Sequence, residues 1–110
     1  PETSNNTAVS PNSIHLPGFI VLAPSNSAAV AYLTADLTLD FSDAAIVADI
    51  KENETFVRDI IYGTIRDELM ARDINDIDEI SLGLAIRKAL GRAVARESIE
   101  RIAFDRFALV

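Results

Sequence analysis

The sequence predicts an α+β domain in which two amphipathic helices pack on a small sheet, in the order β-β-α-α-β. Three observations carry this. Between Phe56 and Leu69, the residues Val57, Ile60, Ile61, Thr64, Ile65 and Leu69 recur at steps of three and four, which makes one helical stripe that needs a sheet to cover it. From Val30 to Phe41 the chain alternates, with Ala31, Leu33, Ala35, Leu37, Leu39 and Phe41 on one face and Val30, Tyr32, Thr34, Asp36, Thr38 and Asp40 on the other, the period of a half-buried strand. A second stripe, Leu82, Ala85, Ile86, Ala89, Leu90, Ala93 and Val94, precedes a tail rich in Ile, Phe and Val, which reads as a closing strand.

Residues 1–13 are polar and punctuated by proline, the composition of a tether that cannot bury apolar surface. The domain is expected over 14–110. Within it, Pro17-Gly18 interrupts the first apolar segment, so the first strand is placed at Phe19 to Leu22, with Pro24-Ser25-Asn26-Ser27 as the turn into the second. Ser42-Asp43 supplies an N-cap for a helix beginning near Ala44. One long helix is expected from there to Ala71, with Arg58, Asp59, Arg66 and Asp67 turned to solvent. The polar Asn53-Glu54-Thr55 is a gap where it would bend or break. The second helix is placed at Asp78 to Ala95, with acidic residues at its start and Arg92 and Arg96 near its end, as the helix dipole favours. In the terminal segment, Ile102, Phe104, Ala108 and Val110 share one parity and Ile99, Ala103, Phe107 and Leu109 the other. That pattern fits partial burial of both faces, or a bulge.

Composition narrows the function. The chain has 110 residues, 49% of them hydrophobic, enough for one domain with a single core. A net charge of −7 disfavours nucleic acid and anionic membrane surfaces as main partners. With no cysteine, disulfides, thiolate nucleophiles and cysteine-held zinc are excluded. No apolar run approaches the ~20 residues of a membrane-spanning helix. The chain begins at Pro1 rather than methionine, so a piece of something longer is expected.

No catalytic, metal or cofactor site is expected, and each candidate has a plain structural reading. His15 is the sole histidine, so any serine–histidine triad would need it. Asp73, Asn75, Asp76, Asp78 and Glu79 could offer oxygen ligands, but Ile77 stands where a calcium loop needs a ligand and no glycine follows. Asp36 and Asp40 lie four apart on one strand face, too far for a coupled acid–base pair. Gly63, Gly83 and Gly91 fall in helical segments, so no phosphate loop forms. The glycosylation sequons at Asn5 and Asn53 are read as incidental. A small hydrolase would have to use His15 or the acidic loop.

Four features together resemble the C-terminal domain of the flagellar basal-body-associated FliL family. They are a strand ending in Asp36-Leu37-Thr38-Leu39-Asp40, a helix holding Val57-Arg58-Asp59-Ile60-Ile61, a second amphipathic helix, and a closing Ile102-Ala103-Phe104-Asp105-Arg106-Phe107-Ala108-Leu109-Val110. The resemblance spans roughly Leu16 to Val110. The family's "V-R-D-A-I" helix core meets Arg58-Asp59 here, with Ile60 where alanine is common. Its final "V-x-F-x-x-F-V-V" meets Phe104 and Phe107. Asp73-Ile74-Asn75-Asp76-Ile77 replaces the family's usual segment after the first helix.

The resemblance implies a fold like the scaffold domain of stomatin-like (SPFH) proteins and a periplasmic domain. An N-terminal transmembrane helix outside this chain would hold it in the inner membrane at the flagellar basal body. It implies non-enzymatic association with flagellar stator proteins of the MotA/MotB type, support of torque and motility, and a homo-oligomeric ring. Charge distribution bears on the ring: residues 87–110 carry six basic and three acidic residues, net +3, leaving −10 for the rest. A basic second helix meeting an acidic patch on a neighbour would favour head-to-tail contacts; the alternative is two ordinary solvated faces, since surface pairs contribute only ~0–1 kcal/mol each.

Overall fold

The computed structural model describes residues 12–23, 31–72, 76–94 and 98–110. Three antiparallel strands form one sheet: β1 (Ser13–Ala23), β2 (Ala31–Phe41) and β3 (Ile99–Leu109), with β2 in the centre. Helices α1 (Ala44–Glu52), α2 (Glu54–Ala71) and α3 (Glu79–Leu90) connect β2 to β3. The buried side chains, from Leu16, Leu37 and Leu39 on the sheet to Ile61, Ile65 and Ile86 on the helices, form a single cluster. Among the described residues, no helix is long and apolar enough to cross a membrane.

β2 follows the period-two pattern. Leu33, Ala35, Leu37, Leu39 and Phe41 are buried beneath the helices, and the polar residues between them face the other way. The α2 stripe also matches, with Val57, Ile61, Ile65 and Leu69 buried. α1 starts at Ala44 and α2 ends at Ala71, the two limits expected; Asp43 caps the start of α1 by accepting from the Ala45 amide at 2.8 Å.

The single long helix is corrected to two. At Asn53 the backbone leaves helical geometry (φ −118°, ψ 29°), and its side-chain amide donates to the Asp49 carbonyl at 2.9 Å. The Asn53 backbone amide still donates to the Asp49 and Ile50 carbonyls, at 3.2 and 3.0 Å, so Asn53 closes α1 and the chain turns out of helical geometry at the polar gap before α2 begins. α3 is also shorter than expected, because beyond Leu90 the chain tightens into turns, with Ala93 and Val94 both donating to the Leu90 carbonyl. Of the second stripe, Leu82, Ile86 and Leu90 are buried while Ala93 is exposed.

The first strand is corrected as well, from Phe19–Leu22 to the whole of Ser13–Ala23. Pro17-Gly18 does not end it. Leu16 pairs with Leu37 and Phe19 with Ala35, so the two residues between stand against Asp36 alone. Gly18 has φ +83°, a left-handed conformation that suits glycine. The bulge flips side-chain parity, which keeps Ile14 and Leu16 before it and Phe19, Val21 and Ala23 after it all on the covered face.

β3 carries two bulges, which account for its mixed parity. Asp36 pairs with Arg106 but Leu37 with Phe104, and Asp40 pairs with Arg101 but Phe41 with Ile99, so Asp105 and Glu100 are extra residues. Ile99, Ile102, Phe104, Phe107 and Leu109 are thereby the residues paired with the buried side of β2. Two rings three apart cannot share a face of a regular strand. Here the bulge at Asp105 lets Phe104 and Phe107 meet edge to face, with centroids 5.3 Å apart. The expectations for 1–11, for the turn at Pro24 to Ser27, for Val30, for 73–75 and for 95–97 lie outside the described residues; Ser13, expected in the tether, is the buried first residue of β1.

Candidate functional site

The face of the sheet turned away from the helices gathers most of the candidate polar residues into rows that run across the strands. Asp40 accepts from the Ser13 hydroxyl and lies 3.5 Å from Arg101 Nε. Thr38 donates to Asp105, and His15 Nδ1 stands 3.2 Å from the same carboxylate and 3.3 Å from the Thr38 hydroxyl. Asp36 accepts from the Gly18 amide at 2.8 Å and pairs across the strands with Arg106. Cross-strand pairs of this kind stabilise a sheet.

His15 thus meets an aspartate, as two members of a triad would. The remaining requirement is a hydroxyl free to give up its proton to the ring. Ser13, two residues along the strand, already donates its proton to Asp40. Asp36 and Asp40 each serve a separate row.

The acidic segment resolves into helix capping. Asp78 Oδ1 accepts from the Ser81 amide at 2.7 Å while the Ser81 hydroxyl stands 3.4 Å from the Asp78 amide, a reciprocal capping box. The Ser81 backbone amide, and after it the Ser81 side chain, holds the Asp78 carboxyl below its ordinary pKa. Asp76 and Glu79 are exposed and Ile77 packs against the core. Among the described residues, no group of three or more His, Asp or Glu is placed to hold a metal ion.

Arg58 corrects an expectation. Instead of turning to solvent, it reaches from α2 to the β1 bulge, where Nη2 donates to the Pro17 carbonyl at 2.7 Å and the guanidinium lies 4.5 Å from the Phe19 ring centroid. A long side chain can lay its stem along apolar surface and still satisfy its head. The bulge is held from both sides, by Arg58 at Pro17 and by Asp36 at Gly18. Asp59, its neighbour in the family-like motif, is exposed.

Among the described residues, the basic side chains of this segment are spread over α3 and the sheet face rather than gathered in one patch. Arg87 donates to the carbonyls of Ile99 and Glu100 and so ties α3 to the start of β3. Arg101 belongs to the sheet face, while Lys88 and Arg92 are exposed.

Apolar surface is the feature that sequence reasoning missed. Ile80 and Leu84 on α3 are 78% and 62% exposed, beside a groove of about 410 Å³ whose floor is Ile102, Ala103 and Phe104 of β3. The signal was available, since Ile80 and Leu84 are four apart and lie off the buried stripe of Leu82, Ile86 and Leu90. A cleft of about 390 Å³ opens at the α1–α2 break, lined by Ile46, Ile50, Phe56, Val57 and Val94 among others. Leu22, Tyr32 and Val110, exposed neighbours across the strands, form an apolar end to the sheet's open face. No family model matches the sequence, and neither does any curated protein.

Proposed function

We propose that this chain is a non-enzymatic scaffold or adaptor domain that works by docking on other proteins. The observation that carries this is a contrast in its surface. Polar side chains able to do chemistry, His15, Asp36, Asp40, Arg58 and Asp78, are engaged in holding the domain together. Large apolar side chains, Ile80 and Leu84 above all, are left facing solvent, the mark of an interaction surface.

The motif residues supply the particular setting. Val57-Arg58-Asp59-Ile60-Ile61 and Phe104-x-x-Phe107 resemble the FliL family, so the domain is read as SPFH-like and periplasmic, associating with flagellar stator units and supporting motility. The test is genetic and chemical together. The gene should sit among flagellar genes and encode one transmembrane helix ahead of this domain. Replacing Leu84 with a photocrosslinking residue in the whole protein should yield a stator adduct, and deleting 14–110 should reduce swimming. Normal swimming and the absence of any stator adduct would overturn the assignment.

A second reading is favoured by the cleft at the α1–α2 break, where Phe56 is 59% exposed: a ligand-binding or membrane-scaffold domain of the same fold, unrelated to flagella. Saturable binding of an apolar fluorescent probe, abolished by Phe56→Ala, would favour it over the motor assignment.

A further inference from the structure

We infer that the edge of β3, past the Ile99 and Glu100 carbonyls that Arg87 occupies, pairs antiparallel with the same edge of a second copy, about a two-fold axis through Ala103. The charges along Glu100-Arg101-Ile102-Ala103-Phe104-Asp105-Arg106 run minus, plus, three neutral, minus, plus. When the segment is reversed and laid against itself about Ala103, Glu100 faces Arg106 and Arg101 faces Asp105, each pair occurring twice. All four side chains are exposed, Arg101 and Asp105 while also meeting Asp40 and His15 within the chain. A slip of two residues in either direction sets every one of these charges opposite an uncharged residue, so electrostatics selects this register.

Backbone geometry selects it too. Tyr32 and Val110 exchange two hydrogen bonds, of 3.0 and 2.8 Å. Antiparallel alternation from that pair, carried across the bulge by the register, turns the N–H and C=O groups of Ile102, Phe104, Phe107 and Leu109 away from β2. In the Ala103-centred pairing Ile102 stands opposite Phe104, so outward groups meet outward groups. The bulge doublets, 100–101 and 105–106, are symmetric about Ala103 and oppose each other. The other edge of the sheet is closed to such pairing at its middle, where Pro17 has no N–H and the Gly18 amide is taken by Asp36.

A seam of two strands is a small interface, and stable association needs more apolar area. The two-fold axis puts both helix layers on one side of a six-stranded sheet, with Ile80 and Leu84 of each α3 flanking the seam. The contact is isologous, with each copy presenting the same surface. It stands apart from the motor assignment: motility tests that reading and self-association tests this one.

The experiment is sedimentation velocity on the chain over a concentration series. The wild type dimerises. E100R sets arginine against Arg106 of the partner and R106E sets glutamate against its Glu100, each at two places per dimer, which raises the dimer Kd about tenfold. The double variant E100R/R106E returns to the wild-type Kd, and mixing the two single variants gives a heterodimer tighter than either alone. Leu84→Lys, which leaves the strand untouched, also weakens the dimer, and unchanged thermal midpoints in dilute solution separate lost pairing from lost folding. A chain monomeric up to its solubility limit overturns the inference. So do single variants that dimerise as tightly as wild type, or a double variant that fails to recover.

Discussion

Where α2 crosses β1, Leu16, Phe19 and Val21 are at most 3% exposed, and Arg58 clasps the one irregularity in the strand. Where α3 crosses β3, by contrast, Ile102, Phe104 and Phe107 stay only half-buried and Leu109 is 50% exposed. Both strands carry bulges, yet they are handled differently. The β1 bulge is satisfied inside the domain, with its carbonyl taken by Arg58 and its amide by Asp36. At the β3 bulges the Glu100 carbonyl is taken by Arg87 and the Asp105 carboxylate by Thr38, but between them the backbone groups of Ile102 and Phe104 point outward along the edge. The difference separates two tasks: the β1–α2 side completes the core, and the β3–α3 side is left to be completed by another molecule.

The comparison can be broken at its stable end first. Ile65 on α2 is wholly buried, so Ile65→Ala should cost about 3 kcal/mol in a denaturant titration. Phe104→Ala should cost about 2 kcal/mol in the monomer, below the 3–5 of a fully buried ring, because Phe104 is only half covered. Equal losses at the two positions would erase the contrast. Arg58→Ala should cost about 1–2 kcal/mol through the lost Pro17 bond and the ring contact, with its effect centred on β1. No change in stability there would mean that the bulge holds itself.

The smallest expected effect concerns the α3 cap. The Asp78 carboxyl is held below its ordinary pKa by the Ser81 amide and side chain, so its contribution is complete above the ordinary carboxylate value and is lost as pH falls through the lowered one. Asp78→Asn keeps a capping oxygen without the charge. The stability difference between wild type and variant should therefore hold steady near neutrality and shrink as the solution is acidified below the ordinary carboxylate range. A difference independent of pH would contradict the cap's ionic character.

Much of this was legible in the sequence, and the exceptions share a cause. Strong periodicity located β2 and the buried stripes of α2 and α3, since burial on one face imposes it. Local irregularity was harder. Pro17-Gly18 read as a strand end because proline and glycine usually punctuate; only the partner strand reveals that two residues stand against Asp36 alone. Mixed parity in β3 did signal a bulge, although its number and places depend on pairing. The reach of Arg58 was hidden because a helical period assigns a direction to Cβ but not to the end of a long side chain. The exposure of Ile80 and Leu84 was hidden because a helical period marks the buried face and says nothing of what covers apolar residues off it.

The central claim, that β3 presents an unfinished edge, is tested most directly by residue-resolved amide hydrogen exchange at low and high protein concentration. The amides of Ile102 and Phe104 should exchange freely in dilute solution and gain protection as concentration rises, while Arg101 and Ala103, turned toward β2, should change little. Protection at Ile102 and Phe104 that does not depend on concentration, or that rises instead along β1, would contradict the account.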